Sequence, residues 1–306
     1  MNSLRPSLTL FAVVTTLIFN GHAIHAADPA SPGTPAKPAN PNSSAATTTT
    51  RTNSTRSTGL ARPKRSLDTN ALNRMELTLK QQKQSLGADH PVTLGSMLDL
   101  AVAYLAAGRL ADALPLAEET VQLSKTKLQT QHPQTLSAAY TLAEIQIAAK
   151  NYTNAESIAR QVLSWTRKTY VTNSWAIGDS LMILSESLLR QGKFVEAEPS
   201  LREGLPIMEK HQANLSPAFT AQGFLGWSLL EQKKFAEAEP LLVKSYDGLK
   251  QRDAQRPSPT RAPLLKEAGE RIVRLYQAWD KPEQAAAWKK KLAQPNQPTP
   301  TATPRT

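Results

Sequence analysis

The chain has 306 residues, 22 prolines, 13 glycines and no cysteine, which excludes disulfides and any thiolate nucleophile. Its net charge of +11 suggests a polyanionic partner only until it is divided: residues 27–66 hold six basic residues against Asp28, whereas residues 67–304 hold 28 basic and 24 acidic ones. A nucleic-acid surface needs a concentrated basic face, and the nearly balanced body of the chain offers none, so no nucleic-acid partner is expected.

Residues 1–26 read as a signal peptide. Arg5 supplies a positive start, and the apolar run from Leu8 to Phe19 has the length of a signal core. It is short of the ~20 residues that span a bilayer comfortably. Small residues allow cleavage after Ala23 or Ala26, the alternative being an uncleaved anchor. Export, to a periplasmic or secreted destination, rests on this leader alone. Residues 27–66 are Ala, Pro, Ser, Thr and Asn with scattered Arg and Lys. Such a stretch has too little apolar surface to offset the entropy of ordering, and is expected to be disordered. Within it, Arg62-Pro63-Lys64-Arg65 reads as a solvated basic linker, a processing site or a contact to an anionic surface. Residues 295–306 form a second tail of the same kind.

Between these ends, residues 67–294 are rich in Ala, Leu, Glu, Gln and Lys, side chains that lose little freedom in a helix. Asn70 to Leu86 matches a lone helix. The segment His90-Pro91-Val92-Thr93-Leu94 then recurs as His132-Pro133-Gln134-Thr135-Leu136, 42 residues later, and the same step reaches Ser174-Trp175, Ser216-Pro217 and Ser258-Pro259. A second marker runs in phase: Ala113, Ala155 and Ala197 are 42 apart, Ala238 follows at 41 and Ala285 at 47. Two markers holding one period predict an all-α stack of helix pairs, each burying its face on the next. In the first helix, Leu94, Met97, Leu98, Ala101, Tyr104 and Leu105 share one stripe. Pro91 suits a first turn and Gly108 a left-handed end. The marker alanines sit where paired helices approach too closely for a larger side chain. Pro115, Pro199 and Pro240 fall in first turns, whereas Pro206 is expected to kink its helix.

The segment from Leu86 to Leu94 resembles the inter-repeat signature of the tetratricopeptide repeat family, in its 42-residue kinesin-light-chain-like branch. Gln191 to Pro199 and Lys234 to Pro240 resemble the same branch's mid-repeat turn. The resemblance covers about residues 68–292 and implies a right-handed α-solenoid with some five helix pairs and an N-terminal capping helix over 67–294. It further implies a protein-interaction scaffold, without enzymatic activity or cofactor, that holds a peptide or helix of a partner on its concave face. Relatives often carry asparagine on the first helix, before a Leu-Ala pair. This chain has Asp99, Thr141, Ile183 and Phe224 there, so that way of gripping a peptide backbone does not carry over. Family geometry places Leu98, Val102, Tyr140, Glu144, Met182, Glu186, Trp227 and Glu231 on the inner face, with Leu105.

Catalytic patterns do not emerge from the residues themselves. Outside the leader the histidines are His90, His132 and His211. The first two are turn residues about one repeat apart, poorly placed to share a metal. There is no His-Glu-x-x-His pair, no phosphate-binding glycine loop and no Gly-x-Ser-x-Gly elbow. Adjacent acids such as Glu118-Glu119 cannot face one another on a helix. Trp175 and Trp288 read as packing residues at unit junctions. The alternative to a scaffold is a tethering protein, held to an anionic envelope surface or polymer by the basic segment of residues 27–66.

Overall fold

A computed structural model describes residues 69–212, 216–255 and 261–293. The leader (1–26), the basic linker (27–66), the marker Ser258-Pro259 and the tail (295–306) lie outside the described residues. Within the described residues the elements are α1 (Thr69–Ser85), α2 (Pro91–Ala106), α3 (Leu110–Leu128), α4 (Pro133–Ala148), α5 (Tyr152–Thr169), α6 (Trp175–Arg190), α7 (Phe194–Gln212), α8 (Ser216–Glu231), α9 (Phe235–Gln255), α10 (Arg261–Ala278) and α11 (Pro282–Ala293). No strand occurs among them. Each helix packs on the next, and the first helices of successive pairs also meet: α2 on α4, α4 on α6, α6 on α8 and α8 on α10. Those contacts gather the first helices on one side, the inner side of a solenoid made of α1 and five hairpins.

The two sequence markers are two kinds of chain reversal. At the inter-unit turn, His90 and His132 have extended backbones, and each Nδ1 accepts the N–H two residues on, from Val92 and Gln134, at 3.2 Å. These imidazoles cap α2 and α4, satisfying donors that a helix start leaves unpaired. Gln134 Nε2 also donates to the Pro91 carbonyl at 2.7 Å, tying one marker turn to the next.

At the turn inside each hairpin, Gly108, Lys150, Gly192, Lys233 and Asp280 have φ of 75°, 63°, 76°, 61° and 55°. Each donates to the carbonyl three residues back, and the following residue donates to the carbonyl five back, as in Gly108 to Leu105 and Arg109 to Tyr104. This pair of bonds closes a helix through a left-handed residue. Glycine adopts that conformation without penalty, whereas Lys150, Lys233 and Asp280 adopt it against side-chain sterics.

The marker alanines explain why the hairpins stack closely. Ala113, Ala155, Ala197 and Ala238 have 0% of their surface exposed and Ala285 has 3%. Leu72 and Leu79 of α1 bury themselves on α2 and close the N-terminal end of the core. Two apolar clusters, one spanning α1 to α5 and the other α4 to α11, meet at Ile158, so the core is continuous along the stack. α7 remains one helix through both Pro199 and Pro206. Trp288 packs edge-on against Tyr246 with ring centroids 5.2 Å apart.

Candidate functional site

The first helices are mostly apolar, and a few charged residues are set into them. Glu144 lies on α4, Asp179, Glu186 and Arg190 on α6, and Glu267 and Arg271 on α10. The stacking of α4, α6, α8 and α10 brings them to one stretch of the inner face. There a cavity of about 70 Å³ opens, lined by Tyr140, Asp179, Glu186, Arg190, Glu267 and Arg271, with Met182, Ile183, Met208, Phe224, Leu249 and Leu264 as its apolar walls. Gly223 of α8 also lines it, and a Cβ there would stand 2.6 Å from Ser245 Oγ.

Four of the charged groups satisfy one another. Arg190 Nη2 donates to Glu186 Oε1 at 3.2 Å and Arg190 Nη1 to Glu267 Oε1 at 3.4 Å, while Arg271 Nη2 donates to that same Glu267 oxygen at 2.6 Å. Only 12% of the Arg190 side chain and 11% of the Arg271 side chain are exposed. Burial lowers the Arg271 pKa despite Glu267 beside it. Burial also raises that of Glu186, with Arg190 opposing. Trp227 lies over this network, its ring centroid 4.5 Å from the Arg271 guanidinium and 5.4 Å from that of Arg190. Two carboxylates and two guanidiniums in mutual contact form a balanced unit.

The remaining two acids have no such partner. Glu144 is 3% exposed, and neither carboxyl oxygen makes a well-aligned hydrogen bond, although the Tyr140 hydroxyl stands beside it. Burial raises its pKa well above the usual carboxylate range, and the charges of Asp179 and Glu186 add to the effect. Burial pushes Asp179 from the ordinary 3.8 up to about 7. Its side chain keeps some solvent contact through the cavity while protein surrounds it otherwise. Burial, followed by these same three acids, raises the Tyr140 hydroxyl as well.

The inner-face residues expected from the sequence therefore separate into three places. Tyr140, Met182 and Glu186 line the cavity, and Glu144 is coupled to it. Trp227 covers the arginines from the side and donates through Nε1 to Glu231 at 3.2 Å, and Glu231 also pairs with Arg274 at 2.6 Å. Leu98, Val102 and Leu105 belong to the N-terminal apolar cluster with Met75 and Leu100, away from the cavity. Sequence reasoning missed Asp179, Arg190, Glu267 and Arg271. The signal that could have found three of them is a Glu followed four residues later by Arg, which occurs on α6 and again on α10.

A different set of carboxylates serves the hairpin turns. Glu156 Oε2 accepts from Lys193 Nζ at 2.7 Å and Gln191 Nε2 at 2.8 Å, while Oε1 accepts from Arg160. One unit on, Glu198 accepts from Lys234 and Gln232 at 2.8 Å and from Arg202 at 2.8 Å. Burial works against ionisation of Glu156, but its donors outweigh it and hold the carboxyl at about 2; for Glu198 the donors lead and the result is again about 2. Exposed ion pairs such as Lys83–Glu119 and Arg167–Glu203 then join successive second helices along the outer side.

This architecture matches known repeat proteins. A tetratricopeptide repeat family model matches residues 93–134, one full unit from α2 to the start of α4. Its fold is that of a kinesin-light-chain-like tetratricopeptide solenoid. The structure is similar to the TPR-like repeats of a putative kinesin light chain from Podosopora anserina, with 24% identity, a TM-score of 0.52 and coverage of 61% of this chain and 88% of that one. It is similar to BtubC (BKLC) from P. vanneervenii at 15% identity and a TM-score of 0.60, covering 77% of this chain and 97% of the other. A Rap protein complexed with Competence and Sporulation Factor matches at 14% identity with a TM-score of 0.52, covering 74% and 71% of the two chains. No curated protein matches the chain in sequence.

Proposed function

We propose that this protein is an exported interaction scaffold that docks an extended segment or helix of a protein partner on the inner face of its solenoid. The observation that supports this most is the cavity between α4, α6, α8 and α10, where a tightly packed stack leaves buried acids unmatched. An unpaired buried carboxyl is costly, and a stack needing only stability would be expected to fill such a place with apolar side chains. Among the described residues no group of three or more His, Cys, Asp or Glu is placed to hold a metal. A similar fold is complexed with Competence and Sporulation Factor in the Rap protein, which favours binding over catalysis.

Export rests on residues 1–26, and a mature chain beginning at Ile24 or Ala27 is the expected product, read by intact mass from the envelope fraction. The docking reading is tested by capture experiments with the full chain, a Tyr140→Ala variant and an outer-face Glu119→Gln variant. A partner retained by wild type and Glu119→Gln and lost from a normally folded Tyr140→Ala supports the inner face; the reverse pattern refutes it. A tether to an anionic envelope surface is the second reading, favoured by the excess charge of +5 in residues 27–66. Binding of that kind fades at physiological ionic strength, where the Debye length is about 8 Å.

A further inference from the structure

The cavity has a charge and a size that specify what enters it. Glu186, Arg190, Glu267 and Arg271 neutralise one another, so Asp179 and Glu144 are left as acids without a cation. Glu144 does not itself line the cavity, but both its oxygens are buried without an aligned donor, only the Tyr140 hydroxyl standing beside them, the state of a group whose partner is missing. The volume of about 70 Å³ is far below the ~300–1,000 Å³ of small-molecule sites. It admits the end of one long side chain, not a cofactor. A divalent cation is disfavoured too, because no three of these acids converge within ligand distance. The apolar walls, Met182, Ile183, Leu249 and Leu264, suit a methylene stem leading to a charged head.

We propose that this cavity receives the cationic end of a lysine or arginine side chain carried on an extended segment of a protein partner, an inference that rests on the inner-face reading above. The ammonium or guanidinium meets Asp179 at the cavity and lies within the field of Glu144, with the Tyr140 ring beside it as a further attractive face. The polar and charged groups that line the cavity with Asp179 are Tyr140 from α4, Glu186 and Arg190 from α6, Ser216 and Thr220 from α8, and Glu267 and Arg271 from α10, and Glu144 of α4 acts on it by charge. None of the cations among them is free of a carboxylate. Burial disfavours the ionised form of Asp179 and Glu144 while the cavity is empty, and an entering cation favours it. Residues 67–304 hold 28 basic and 24 acidic residues, so no long-range field draws a basic peptide in. Attraction therefore has to arise inside the cavity, where a cation favours the ionised form of these acids.

The test is calorimetric titration of the full chain with synthetic peptides of one neutral sequence carrying lysine, arginine, norleucine or citrulline at the centre. The lysine and arginine peptides are expected to bind about tenfold or more tightly than their uncharged isosteres. Asp179→Asn is expected to abolish that preference without lowering the melting midpoint, while Glu119→Gln on the outer side preserves it. Equal binding of charged and uncharged peptides, lost in Tyr140→Ala, would overturn the cation and leave the inner-face reading standing. No binding at all, or a loss on Glu119→Gln, would overturn both. Binding that appears only when Arg51, Arg56, Arg62, Lys64 and Arg65 are replaced by serine would overturn the partner in favour of the chain's own basic segment.

Discussion

Glu198 on α7 and Asp179 on α6 belong to one repeat unit and meet opposite fates. Glu198 gathers Lys234, Gln232 and Arg202 and is held at about 2, whereas Asp179 faces the cavity with no cation of its own and rises to about 7. Glu198 has a counterpart in Glu156, one unit earlier, with the same set of donors. Asp179 has none. The turn carboxylates Glu156 and Glu198 find the same donors in each unit and join each hairpin to its neighbour, whereas the inner-face pair Glu144 and Glu186, also 42 residues apart, meet different surroundings: Glu186 has Arg190 and Glu144 has no cation. The comparison teaches that in a solenoid a carboxylate's state is set by what the neighbouring unit supplies, because each unit must satisfy the next.

The two groups of charges can be separated by mutation. The largest effect is expected at Arg271, whose loss leaves the partly buried Glu267 beside the buried Glu186 with one guanidinium between them. Breaking a buried network of this kind costs about 3–5 kcal/mol, so Arg271→Ala should shift urea melts most of all. Glu198→Ala removes the acceptor shared by Lys234, Gln232 and Arg202, of which Arg202 keeps Glu237 and Gln232 keeps Ser228, and should cost about 1 kcal/mol. If it melts like wild type, the turn carboxylates do not hold the units together.

Acid titration distinguishes the two regions by sign. Asp179 and Glu144 bind protons more tightly folded than unfolded, so acidifying from about pH 7 towards pH 4 stabilises the protein. Glu156 and Glu198 bind them less tightly folded, so stability is lost as pH falls from 4.5 towards 2. The denaturation midpoint should therefore pass through a maximum between these windows. Asp179→Asn should flatten the neutral limb, on the order of 1 kcal/mol, and keep the acid limb. A midpoint that falls steadily from pH 8 downwards would mean that the inner acids are not strained. The smallest effect is at the turns themselves. Lys150 is exposed with φ of 63°, and Lys150→Gly should stabilise by about 0.5–1 kcal/mol, since removing the left-handed penalty outweighs the entropy that glycine adds to the unfolded state. Gly192→Ala, at the equivalent position, should do the opposite.

What the sequence disclosed follows the same division. The phase of 42 residues located the marker alanines, the histidine-capped turns and the paired helices, because each recurs and each is dictated by local sterics. It also named Tyr140, Glu144, Met182 and Glu186 for the inner face. It did not reveal that Leu98 and Val102 pack into the N-terminal cluster, since an apolar residue at inner-face spacing fits core and groove equally. Arg271 and Glu267 were hidden for another reason. They lie in the last unit, where the marker spacing stretches to 47 residues, and a Glu-to-Arg spacing of four residues usually marks an ordinary helix-surface pair. Only the stacking of α10 against α8 shows that these charges are buried.

The most direct measurement is a carboxyl-carbon NMR titration of the full chain, resolving Glu156, Glu198, Glu144 and Asp179. The account predicts that Glu156 and Glu198 titrate near 2, Asp179 near 7, and Glu144 well above the usual carboxylate range. Titration of all four near 4, as in unfolded peptides, would contradict it: the inner acids would then be solvated like any surface group, and the cavity would have no unmet charge to offer a partner.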